Sequence, residues 1–139
     1  MPPFLDTPMR PFLALAFAVF ALPALGQDYP NKEKVQEAQL GFQPYQDVKI
    51  DVDCGDPKNP AQELICDDDQ LWQMTRLDTW AYVYAKDAEK GEPSDHANPP
   101  IDMAFVAARD RCQDTACVIT VIEAHTNKSL GDMSPYYLK

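Results

Sequence analysis

The chain has 139 residues, with 22 acidic and 12 basic side chains, and a formal net charge of −10 at pH 7. Nucleic acids and anionic membrane surfaces attract positively charged protein, so this balance argues against both as partners. A basic protein partner is favoured, because opposite charges speed encounter and suppress wrong partners. Plain solubility is the alternative explanation, and charge alone does not separate the two.

The N-terminus has the pattern of an export signal. Arg10 precedes an apolar run over residues 12–22, and residues 24–26 place small side chains at the two positions that a signal peptidase reads. The run falls short of the roughly 20 residues that a spanning helix needs. We therefore predict a signal peptide over residues 1–26 with cleavage before Gln27, no membrane anchor afterwards, and a periplasmic or secreted protein of bacterial type. A retained anchor is the alternative.

The remaining chain is short enough for a single domain with a modest core. It carries four cysteines: Cys54, Cys66, Cys112 and Cys117. An even number of cysteines in a small exported protein predicts two disulfides and leaves three pairings open. The spacings do not match common zinc motifs, and we expect neither a metal nor a cofactor.

Residues 27–52 form a polar leader with weak signals of regular structure. Asn31 is placed to cap a short helix over residues 32–40, and Gly41 would end it. Residues 48–52 alternate in polarity like a short extended segment. We expect a largely irregular leader that either packs on the following helices or stays partly loose.

Three helices are predicted after the leader. The first covers residues 60–86, because Asn59 suits an N-cap and Pro60 the first helical position. Its apolar side chains recur at helical spacing: Leu64, Leu71, Met74, Leu77, Ala81 and Tyr84. A loop rich in proline and polar residues follows over residues 87–100.

The second and third helices are shorter. The second covers residues 100–112 and places five apolar residues on one face: Ile101, Ala104, Phe105, Ala108 and Cys112. The third covers residues 116–130, after a turn that offers Asp114 or Thr115 as a cap, and Gly131 ends it.

These elements predict a mainly α fold: a small disulfide-stapled helical hairpin plus a third helix. Two helices joined by a loop lie most simply antiparallel, which brings the start of the first near the end of the second. All four thiols then gather at one pole. Local bridges and crossed bridges both fit this arrangement, and crossed ones would close longer loops.

The cysteine neighbourhoods resemble a known family. Cys54, the segment 63–66 (Glu-Leu-Ile-Cys), Leu71, Tyr82 and the segment 109–118 (Arg-Asp-Arg-Cys-Gln-Asp-Thr-Ala-Cys-Val) are similar to the LprI-type domain. That family comprises small exported helical proteins with four cysteines and is named for a lysozyme inhibitor. The resemblance covers about residues 53–130 and implies an LprI-like helical domain over residues 53–139.

Some positions depart from the family pattern. Phe105 stands where the family tends to have Trp, and Asp102 where it has Gln. Thr75 stands where the family has Asp, and Ile122 and His125 where it has Tyr and Arg. The apolar exchanges keep the apolar helix faces, whereas the polar exchanges alter side chains that the family shares.

Catalytic chemistry is sparse in this sequence. His96 and His125 have no adjacent nucleophile, so they do not make a catalytic set, and we expect no enzyme activity. Asp67, Asp68 and Asp69 fall in the first turns of the first predicted helix, where acids complement the helix dipole. The same run could contact a basic partner; calcium binding is disfavoured because the twelve-residue calcium loop is missing.

Two functions remain open. The resemblance implies a proteinaceous lysozyme inhibitor, in which an acidic loop or helix end occludes the lysozyme cleft. The candidate contact residues are Asp67, Asp68, Asp69, Glu92 and Asp95. The alternative is a non-catalytic periplasmic interaction or envelope-maintenance module that binds another protein and uses the same fold as a scaffold.

Overall fold

The computed structural model describes residues 29–137, so the predicted signal peptide over residues 1–26 lies outside the described part. The described chain is helical and has no β-strand. No helix in this range is long and apolar enough to cross a membrane. The five α-helices are α1 (Lys32–Gly41), α2 (Pro60–Asp67), α3 (Asp69–Lys90), α4 (Met103–Asp110) and α5 (Thr115–Leu130).

The leader packs on the helices that follow it. Its short predicted helix is confirmed as α1, with Val35 buried against the rest of the molecule. Gln39 donates to the carbonyl of Gln73 on α3 at 3.0 Å. Asn31 is the N-cap residue of α1, as predicted, and its carbonyl accepts from the N–H of Val35 at 2.9 Å. Its side chain makes no capping bond and donates to the carbonyl of Pro135 at 2.8 Å.

The segment 48–52 is not a strand, although both valines at its ends are buried. Val52 joins the main hydrophobic cluster, and Val48 joins a second cluster with Trp80 and Val83. The backbone N–H of Lys49 donates to the carbonyl of His96 at 2.9 Å. One isolated backbone bond to a loop does not make a ladder, so the segment stays irregular.

The helix predicted over residues 60–86 is two helices. The Asn59 cap is confirmed, since its side chain accepts a hydrogen bond from the N–H of Gln62. Asp68, however, adopts an extended backbone (φ −127°, ψ 113°) and caps α3 by accepting from the N–H groups of Gln70 and Leu71. A new helix therefore begins at Asp69 because Asp68 satisfies its free N–H groups.

The fourth helix is shorter than predicted. It begins at Met103, because Asp102 is extended and its carboxylate accepts from the N–H groups of Ala104 and Phe105. The predicted apolar face is not packed over its whole length, since Ile101 and Ala104 are both exposed. Ile101 lies outside the helix, so helical spacing does not govern where its side chain points.

The fifth helix follows its prediction closely. Asp114 provides the cap by accepting from the N–H of Cys117 at 2.8 Å. Gly131, with φ 56°, ends the helix in a conformation that a side chain would disfavour.

Both disulfides are local, joining Cys54 to Cys66 and Cys112 to Cys117. Cys112 belongs to the main hydrophobic cluster, and Cys66 and Cys117 pack against it. The two bridges therefore support the same end of the core, as the one-pole prediction requires.

Helices α3 and α5 make the most extensive packing in the molecule and run side by side in the same direction. The short α4 lies between α3 and α5 in the sequence, and it packs on α5 and α2. The main cluster lies where these helices meet. Its buried members are Val52, Ala61, Ile65, Leu71, Met74, Cys112, Val118, Ile119 and Ile122.

Candidate functional site

A buried histidine held between two carboxylates is the most chemically distinctive feature of the described residues. Nδ1 of His125 lies 2.9 Å from both carboxylate oxygens of Asp78, and Nε2 lies 3.1 Å from Oδ2 of Asp102. The three side chains come from α5, α3 and the cap of α4. A charged imidazolium donates from both nitrogens, so this geometry suits the protonated ring.

The surroundings fix the orientation of this ring. His125 stacks on Phe105, with ring centroids 3.9 Å apart and planes within 7°, and Tyr82 covers it at 5.2 Å. Thr126 donates to Asp78 at 2.8 Å. His125 is 8% exposed and Asp78 only 2%, so the ion pair is largely screened from water.

The electrostatics favour a charged His125. Burial by itself would lower its pKa, but the hydrogen bond and charge of Asp78, and then those of Asp102, outweigh burial and raise the pKa above the ordinary value. Burial acts to raise the pKa of Asp102, and it is outweighed by bonds from the N–H of Phe105 and from His125, so that pKa is lowered. Burial raises the pKa of Asp78 against the opposing bonds from His125 and Thr126.

Two depressions lie beside His125: a wider groove of about 610 Å³, lined by Tyr82, Lys86, Asp102 and Lys128 among others, and a small cleft. The volume of the small cleft is about 30 Å³, which matches the space of one water molecule. Pro99, Pro100, Ile101 and Lys49 are among its lining residues. Both ring nitrogens of His125 already bond carboxylates, so the histidine links helices to one another in this conformation.

A second buried charge lies close by, on α4. The guanidinium of Arg109 is 1% exposed and bonds both oxygens of Asp51, at 3.1 and 2.9 Å, and also Asp110 at 3.0 Å. Burial acts to lower the pKa of Arg109, and the bonds to Asp51 and Asp110 more than offset it. This ion pair attaches the leader to α4.

The predicted acidic run divides into different roles. Asp67 and Asp69 are exposed, whereas Asp68 is half-buried and caps α3. Asp68 also accepts a hydrogen bond from the hydroxyl of Tyr29. Burial, followed by that bond, raises the pKa of Tyr29 to about 12. Asp68 is thus committed to structure, and Asp67 and Asp69 remain available at the surface.

The Cys54–Cys66 bridge brings a second acidic segment to this run. Its Cα atoms are 5.4 Å apart, so the neighbouring Cα atoms of Asp53 and Asp67 lie within about 13 Å of one another. Asp53 and Asp56 are both exposed, and Lys58 forms an ion pair with Asp56. We call the exposed acids at this end, Asp53, Asp56, Asp67 and Asp69, the helix-end patch.

Glu92 and Asp95 lie elsewhere. Both are exposed in the loop that follows α3, and the 22 residues of that helix place them about 30 Å from Asp67. The structure therefore does not bring the five predicted contact residues together. It places them at opposite ends of α3.

Sequence reasoning missed the partners of His125 and Arg109. Asp78 lies at helical spacing between Met74 and Ala81 on the apolar face of α3, and a carboxylate on such a face signals a buried partner. Thr75, the position where the family pattern has Asp, bonds back to the carbonyl of Leu71 at 2.8 Å. The carboxylate that bonds His125 of α5 belongs to Asp78, about one turn further along α3.

The described residues contain no group of three or more His, Cys, Asp or Glu side chains arranged to hold a metal ion. Comparison of the chain with protein-family models, with curated proteins and with solved structures found no match.

Proposed function

We propose that this chain is an exported acidic binding protein, acting in the periplasm or outside the cell, that inhibits a lysozyme by occluding its cleft. The observation that carries this is the placement of exposed carboxylates, in the helix-end patch and around Glu92, at the two ends of one long helix in a disulfide-bonded frame. A predominantly acidic surface favours encounter with a protein of the opposite charge, and many lysozymes are basic.

Two further observations support recognition by the surface. The two disulfides are compatible with an oxidising compartment. The small cleft beside His125 has room for about one water molecule, and the larger groove next to it, lined by Tyr82, Lys86 and Lys128, opens to solvent. The resemblance to the LprI-type domain, on the residues quoted above, makes a lysozyme the first partner to test.

The deciding experiment titrates lysozyme activity with the secreted, oxidised protein, using c-type, g-type and i-type lysozymes in parallel. We expect stoichiometric inhibition of one class, weakened by salt because screening reduces attraction between exposed charges. Reduced and alkylated protein provides the control for a folded inhibitor. If no class is inhibited, the proposal is wrong and the interaction-module alternative takes its place.

A further inference from the structure

The loop between α3 and α4, residues 91–102, is irregular but firmly held. The N–H and hydroxyl of Ser94 both donate to Asp87, the N–H at 2.9 Å. The backbone carbonyl of His96 accepts from the N–H of Lys49, and the ring Nδ1 of His96 lies 2.6 Å from Oδ1 of Asp47. Long loops without regular structure in a compact domain are commonly functional, and this one has a defined conformation.

The far end of the loop is held as firmly as its start. Asp102 bonds His125 and caps α4, while Pro99 and Pro100 restrict the backbone just before it. A loop that is already ordered loses less conformational entropy when a partner binds. The ion pair at His125 therefore serves to position this loop.

Large apolar side chains project from this end of the loop. Ile101 is 47% exposed and Met103 is 68% exposed. Ala104 and Ala107 continue the exposed apolar strip along α4, whose other side packs on α5 and α2. Exposed apolar anchors on a rigid support, surrounded by polar groups, are typical of binding hot spots.

The charge of the loop indicates the kind of partner. Residues 91–103 contain two exposed acids, Glu92 and Asp95, and no Lys or Arg. Asp102 is paired with His125, and Lys49 of the leader is a basic residue that lines the cleft beside Ile101. The exposed acids and apolar side chains of the loop together complement a basic surface that surrounds an apolar recess. By contrast, none of the large apolar side chains exposed within residues 29–137 lies in the helix-end patch.

We propose that residues 91–103, rather than the helix-end patch, form the surface that enters the cleft of a basic lysozyme. Ile101 and Met103 pack against apolar side chains of the cleft, and Glu92 and Asp95 face basic residues at its rim. This assignment rests on the proposed function and names the contact surface for it.

A matched pair of methionine substitutions tests the anchors. Met103 and Met133 are 68% and 62% exposed, and Met133 lies after α5, beside α1, outside the proposed contact residues. We expect Met103→Ser to weaken lysozyme binding about tenfold or more, and Met133→Ser to change it less than about twofold. Both variants should keep their urea midpoints, because the side chains are exposed.

A second matched pair tests the charges, using stopped-flow association rates over a range of salt. Glu92→Gln with Asp95→Asn should slow association and reduce its salt dependence, whereas Asp67→Asn with Asp69→Asn, which removes the same charge, should have little effect. The reverse ranking, together with Met103→Ser behaving like Met133→Ser, would overturn the loop assignment while leaving the inhibitor function intact.

Two other outcomes are distinct from these. If the unaltered protein binds no lysozyme of any class, the proposed function is wrong, and so is the proposal that residues 91–103 enter a lysozyme cleft. If sedimentation shows a dimer of the unaltered protein that Met103→Ser converts to monomer, and no lysozyme binds, the surface joins two copies of this chain and the proposal is overturned.

Discussion

His125 and Asp102 are joined by a hydrogen bond of 3.1 Å that connects the middle of α5 to the end of the loop over residues 91–102. The other nitrogen of the ring bonds Asp78, the most buried carboxylate of the site. One imidazole thus holds α3, α5 and the start of α4 together. Its protonation state couples the stability of this region to pH.

The free energy of unfolding should fall as pH rises above about 6.5, the ordinary pKa of histidine. The pKa of His125 is raised in the folded state, so between the unfolded and folded pKa values the folded protein holds a proton that the unfolded chain has lost. This stabilisation is complete below the unfolded pKa and disappears as pH passes the folded pKa. Urea unfolding measured from pH 5.5 to 9 would show the decline.

His125→Gln should remove this pH dependence and cost about 3 kcal/mol at pH 6, because it leaves the buried Asp78 without a cation. His96→Gln is the matched control, since His96 pairs with the exposed Asp47. A pH profile that is the same in His125→Gln and in the unaltered protein would show that the ring is not protonated in the folded state.

Arg109→Met should destabilise the protein by about 3 kcal/mol, since it removes the buried cation that bonds Asp51 and Asp110. Arg109→Lys keeps the charge but not the forked geometry, and should cost about 1 kcal/mol. Arg111→Met is the control, because Arg111 is exposed. Equal urea midpoints for Arg109→Met and Arg111→Met would contradict a stabilising role for the Asp51 pair.

Local signals predicted much of the fold. Asn59, Pro60 and Gly131 mark helix ends through their own local chemistry: α2 begins at its predicted first residue, and α5 begins and ends within one residue of its predicted limits. The break at Asp68 was missed because aspartates also occur within first helical turns. Only its extended backbone distinguishes a cap from a helical residue.

The His125 site was harder to predict than the helices. Asp78 and Asp102 precede His125 by 47 and 23 residues, and no local pattern links positions so far apart. The same holds for Asp51 and Arg109, which are 58 residues apart. The cysteine pairing was also open, because all four thiols were expected at one pole whichever pairs formed.

The two disulfides should stabilise the protein unequally. In the chain-entropy account, the Cys54–Cys66 bridge spans 12 positions and the Cys112–Cys117 bridge only 5, which corresponds to about 3 and about 2 kcal/mol. Paired Cys→Ala variants measured by urea unfolding would give the two values. Peptide mapping of the unreduced protein checks the pairing directly; a peptide joining Cys66 to Cys112 would contradict it.

Asp68→Ala should cost about 2 kcal/mol, although the sequence also makes Asp68 a candidate contact residue. About half of this comes from the lost cap of α3, and about half from the hydrogen bond that Tyr29 donates to the same carboxylate. Tyr29→Phe isolates the second contribution, and Asp69→Ala removes an equal charge from an exposed neighbour. If Asp68→Ala and Asp69→Ala unfold at the same urea concentration, the cap does not stabilise the helix junction.

Asp68 also maintains the start of α3, so weaker lysozyme binding in an Asp68 variant would not by itself identify a contact. Asp67 and Asp69 can be changed without that ambiguity.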